Sequence, residues 1–127
     1  MPLHWTISHT TRLVIAVAKE ELRLKDIEAY LDGVVTAGGL SYRKIFDLTG
    51  AMGAIDDAEM MALGARIRAY REMGPMGALA IVAKTDASYQ RARLFIALAE
   101  ADRPVKIFRE LHKARQWLDG LDSSPGS

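Results

Sequence analysis

Hydrophobic and polar positions change period several times along the chain, and each change marks an element. In residues 3–8, Trp5 and Ile7 alternate with His4 and Thr6, the pattern of an edge strand with one buried face. Beyond Ser8-His9-Thr10-Thr11, residues 12–18 form a second strand whose LVIAVA run is apolar at every position, which predicts cover on both sides. From Leu24 the period becomes helical: Leu24, Ile27, Leu31, Val34 and Val35 share a side, and Gly38-Gly39 closes the segment. Residues 42–48 (YRKIFDL) return to strand character. Asp56-Asp57 then opens a long helix with Met60, Leu63, Gly64, Ile67 and Tyr70 in one stripe, ended by Gly74-Pro75.

The second half repeats the scheme. Residues 78–83 (ALAIVA) predict a buried strand, and residues 88–99 a helix with Ala92, Phe95 and Leu98 inward. Residues 104–108 (PVKIF) predict a strand with proline only at its entrance, where a missing donor is tolerated. Leu111, Ala114, Leu118 and Leu121 mark a last amphipathic helix, with Trp117 beside the stripe. The order β-β-α-β-α-β-α-β-α predicts an α/β fold: a mostly parallel five-stranded sheet with an antiparallel first strand and four helices. Residues 1–121 are expected to form one domain and residues 122–127, small and polar, a flexible tail.

Composition narrows the function by exclusion. The chain of 127 residues is half hydrophobic and 26% charged, the balance of a globular domain that buries a core without disulfides or metal. A net charge of +1 argues against a nucleic-acid partner. With no cysteine, the chain offers no thiol nucleophile, iron–sulfur site or cysteine zinc site. No signal peptide or membrane-length apolar run is evident, so a cytoplasmic protein is expected. Charge is uneven: residues 1–63 carry 6 basic and 9 acidic side chains, residues 64–127 carry 11 and 7. Arg66, Arg68 and Arg71, with Arg91 and Arg93, are candidates for a basic patch or for a solvated helix face.

Chemistry-bearing residues form no catalytic cluster. His4, His9 and His112 have no metal-ligand spacing, and no Gly-x-Ser-x-Gly elbow seats a nucleophile. The Thr49-Gly50-Ala51-Met52-Gly53-Ala54 loop stands between strand and helix, where phosphate loops sit, but lacks their Gly-Lys-Ser/Thr and third glycine. Its glycines are read as turn residues. Asp47 falls near the carboxyl end of its strand, where ligand crevices open. Asp56 and Asp57 fit helix capping better than metal binding, because a helix N-terminus repels cations. Five of six methionines fall between Met52 and Met76; core filling explains Met60, whereas its neighbour Met61 must point elsewhere.

Phe46-Asp47-Leu48-Thr49 and Ile55-Asp56-Asp57-Ala58-Glu59-Met60 resemble the STAS domain of SpoIIAA-like anti-sigma-factor antagonists. There a strand ending Asp-Leu-Ser/Thr leads to Ile-Asp-Ser-Ser-Gly-Leu at a helix start. Residues 78–83, Tyr89-Gln90-Arg91-Ala92-Arg93, and the ending from Val105-Lys106-Ile107-Phe108 to Trp117-Leu118 are similar to small bacterial STAS/Sec14-type proteins. The resemblance implies a regulatory module, without enzymatic activity or cofactor, that binds a protein partner. In the antagonists a kinase phosphorylates the second serine of the pair. Here the pair is Asp57 and Ala58, so the hydroxyl is missing, and Asp57 supplies one negative charge where phosphate supplies nearly two.

The leading expectation is therefore a protein-interaction module whose contact surface contains Thr49, Gly50, Met52, Asp56, Asp57 and Met61. A homodimer through a strand edge or the methionine-bearing helix is one form of it. The alternative, implied by the Sec14-like side, is a small carrier or sensor of an apolar, lipid-like ligand. Ala62, Gly64, Ala65, Ala69, Ala92 and Ala97 are its candidates for lining a groove between helices.

Overall fold

A computed structural model describes residues 2–52, 55–99 and 103–122. Five strands, β1 (Leu3–Ser8), β2 (Leu13–Glu21), β3 (Arg43–Met52), β4 (Leu79–Val82) and β5 (Val105–Phe108), form one sheet in sequence order. β1 runs antiparallel to β2, and every later pairing is parallel. Helices α1 (Leu24–Thr36), α2 (Asp57–Tyr70) and α3 (Asp86–Ala99) connect the parallel strands, and α4 (Leu111–Asp122) follows β5. The α/β class, element order and mixed sheet are those read from the periodicity. Residues 123–127 of the expected tail, and Gly53 and Ala54, lie outside the described residues.

Strands in sequence order, linked by crossovers of one hand, put all three connecting helices on the same face. Val14, Ala16 and Ala18 of β2 meet the inner stripes of α1 and α2 there, with Tyr30, Val34, Met60, Leu63 and Ile67. The other face carries α4 alone among the described helices, with Ala114 and Leu118 over Ile45, Ala80 and Val82. The cover expected on both sides of β2 is thus unequal. Val14, Ala16 and Ala18 are fully buried, whereas Leu13, Ile15 and Val17 are only half-buried because α4 sits over β3–β5.

The largest departure from the sequence reading is the length of β3. Thr49, Gly50 and Met52 belong to the strand and not to a loop: beyond a bulge at Val17/Lys19, Lys19 pairs with Gly50, Glu20 with Ala51 and Glu21 with Met52. Glu20, beyond this irregularity, takes a positive φ of 58°. A Cβ on Gly50 would lie 2.9 Å from the Ala18 carbonyl oxygen, so glycine serves the close approach of two strands here. At the end of α1 the prediction holds. Gly38, at φ 77°, and Gly39 return their N–H groups to the Val35 and Val34 carbonyls, closing the helix.

Candidate functional site

α2 is the central helix of its layer, packed between α1 and α3. Its N-terminus is held by a reciprocal box: the Glu59 N–H donates to Asp56 Oδ1 at 2.8 Å, and the Asp56 N–H to Glu59 Oε1 at 3.1 Å. Met60, Leu63, Gly64, Ile67 and Tyr70 form the buried stripe, as read from the sequence. A Cβ on Gly64 would lie 3.0 Å from the Leu98 carbonyl oxygen, so this glycine lets α3 come close.

The opposite face of α2 is also apolar. Ala58, Met61, Ala62, Ala65 and Ala69 recur at spacings of three and four, share one side of the helix and are all exposed. Met61 retains 61% of its surface. Charged side chains flank this stripe, and they are tied to the neighbouring helices. On the α1 side, Arg66 donates to Asp32 Oδ1 at 2.7 Å and to the Tyr70 hydroxyl at 3.0 Å, and it pairs with Glu28 at 3.4 Å. Hydrogen bonds from Tyr70 and Arg66 hold the Asp32 carboxyl below its ordinary pKa. On the α3 side, Arg68 donates to the Leu98 carbonyl, and Asp57 Oδ1 accepts from Arg91 at 2.7 Å.

This arrangement reassigns several residues. Arg66, Arg68 and Arg91 are engaged in contacts between elements, so they form no open basic patch. Of the six small residues expected to line an internal groove, only Ala92 lines a cavity, while Ala62, Ala65, Ala69 and Ala97 face solvent. Asp57 and Met61 stand one turn apart on α2, and Asp56 is its cap. Thr49, Gly50 and Met52 lie instead on the exposed end of β3, where Met52 keeps 70% of its surface. Asp47 accepts from the Thr49 N–H and hydroxyl at 2.9 and 2.7 Å, a local brace on β3. Among the described residues no three His, Asp or Glu side chains are grouped to hold a metal ion.

Beneath the helices the sequence reading missed a second feature. An apolar cavity of about 150 Å³ separates the sheet from α1–α3, its lining extending along β3 from Lys44 to Ala51. Lys44 and Arg103 stand at the amino-terminal ends of β3 and β5, and Tyr30 reaches the cavity from α1. Lys44 is buried, and its Nζ donates to the Leu40 and Tyr42 carbonyls at 2.6 and 2.7 Å. Burial, with the neighbouring Arg103 charge, lowers its pKa to about 7. Burial likewise lowers Arg103 to about 10. Burial raises the Tyr30 hydroxyl well above its ordinary value, so it stays protonated. One signal was legible: strand alternation puts Lys44 on one face with Tyr42, Phe46 and Leu48. Nothing local marks Arg103 or Tyr30 as its neighbours.

No family model, curated protein or solved structure matches the chain. No helix among the described residues is long and apolar enough to cross a membrane.

Proposed function

We propose that the protein is a non-enzymatic interaction module that binds a protein partner through the outer face of α2. The supporting observation is that this helix is apolar on both faces although only one is buried. Contiguous exposed apolar surface with a charged rim is characteristic of an interface. The STAS resemblance favours the same region, since the switch position of the antagonists corresponds to Asp57-Ala58. With alanine there, partner exchange is not driven by phosphorylation at this position. Asp57, engaged by Arg91, provides a constant negative charge at the rim.

Met61→Glu and Ala65→Glu place a carboxylate in the middle of the exposed stripe and touch no core residue. Each is expected to leave stability within about 0.5 kcal/mol of wild type. A partner identified by cross-linking in cells, or self-association measured by sedimentation, should weaken at least tenfold in both variants. Unchanged association in both, with the fold intact by circular dichroism, would remove α2 as the contact surface.

A further inference from the structure

We propose that the cavity beneath α1–α3 binds a small organic monoanion with an apolar body, with Tyr30, Lys44 and Arg103 receiving its charged head. Hydrogen-bond accounting carries this assignment. The Tyr30 hydroxyl is 2% exposed as a residue and has no hydrogen-bond partner; its ring is fixed edge-on between Trp5 and Phe46 at centroid distances of 5.6 and 5.5 Å. Arg103 donates from Nη1 to the Gly77 carbonyl at 3.1 Å, but its Nε–H is buried without an acceptor. Lys44 uses two of its three N–H donors on carbonyls. Donors from α1, β3 and the segment before β5 thus converge on one cavity with acceptors lacking, and the Arg91 Nε–H on α3 is a further buried donor without an acceptor in its lining. Among the described residues no carboxylate pairs with Lys44 or Arg103.

Buried unpaired donors are costly, and adjacent buried cations more so. A single bound carboxylate remedies both: its two oxygens accept several hydrogen bonds, and its charge offsets the cations. Most of the remaining lining is apolar, with Ile27, Phe46, Ile67 and Phe95 among it and Ser88 and Arg91 on the α3 side, which suits a hydrocarbon body and not a sugar or nucleotide. Size sets an upper bound. An apolar cavity of about 150 Å³ holds a molecule of about benzene size, so the ligand is a short-chain or aromatic carboxylate and not a full-length fatty acid. The site lies under α2 and not on its outer face, so it stands or falls separately from the interaction surface.

Tyr30→Phe is the discriminating variant, because it deletes only a hydroxyl that has no hydrogen-bond partner within the protein. Unliganded Tyr30→Phe is expected to match or exceed wild type in melting temperature. By calorimetry, hexanoate and benzoate should bind wild type and lose roughly tenfold in affinity in Tyr30→Phe, the loss of one hydrogen bond to a charged acceptor. Lys44→Met should weaken both further, while 1-hexanol, with the same chain and no charge, should bind wild type and both variants alike. Binding of hexanoate unaffected by either substitution, or hexanol bound as tightly as hexanoate by wild type, would overturn the anionic head. Palmitate binding more tightly than hexanoate would overturn the size limit. No binding of either carboxylate to wild type would overturn the site.

Discussion

Lys44 stands in β3 between Arg43 and Ile45, on the face that packs beneath the helices, where its ammonium is away from solvent. Its folded pKa of about 7 against an ordinary 10.5 makes a pH prediction. Between those values the unfolded chain holds a proton that the folded chain has released, so stability rises with pH across this window. Below about pH 7 both states are protonated, and the cost of burying the charge is constant. Arg103 and Tyr30 face the same cavity but titrate higher, at about 10 for Arg103 and above that for Tyr30. Lys44→Met is therefore expected to flatten the rise between pH 7 and 9.5 and to stabilise the protein most at pH 6. Urea midpoints at four pH values check this; an unchanged pH slope in the variant would show that Lys44 is not the group responsible.

Among the elements, α2 shows how local signals and long-range pairing divide the outcome. Its start was readable because Asp56-Asp57 supplies a capping carboxylate that also meets the helix dipole favourably, while the reciprocal bond from Glu59 emerged only in the structure. Asp56→Ala should cost about 1 kcal/mol in denaturant unfolding, by leaving N–H groups of the first turn without an acceptor. A cost near zero would mean that water replaces the cap. The preceding strand was not readable to its end. Gly50 and Gly53 have the look of turn residues, yet β3 continues to Met52 because β2 bulges and resumes pairing through Lys19, Glu20 and Glu21. Pairing with partners 31 residues earlier leaves no local periodicity in a stretch of small residues.

At the scale of the whole molecule, the distribution of helices governs which surfaces are sealed and which stay open. Three helices share one face, so the middle one, α2, has neighbours on both flanks and nothing described above it. α4 covers the opposite face through Ala114, Leu118 and the partly buried Trp117 and Leu121 against β3–β5. Leu118, 1% exposed, is its anchor. Leu118→Ala is expected to destabilise by about 2–5 kcal/mol through lost burial and a residual cavity. Chemical denaturation measures this, and a cost below 1 kcal/mol would show that α4 is loosely docked.

The amino-acid sequence by itself determined the kind and order of the elements, the inner stripes of α1 and α2, and Ala114 and Leu118 as the inner residues of α4, whereas Leu111, expected in that stripe, is exposed at the helix start. It did so because period, capping and turn chemistry are properties of neighbouring residues. Only the tertiary structure decided that Ala58, Met61, Ala62, Ala65 and Ala69 form an outer face. Small apolar residues are compatible with either side of a helix until its neighbours are in place. The same holds for Tyr30, Lys44 and Arg103, which are brought to one cavity from α1, β3 and the entrance of β5. Convergence of that kind depends on sheet order and crossover hand, which act between residues far apart in the chain.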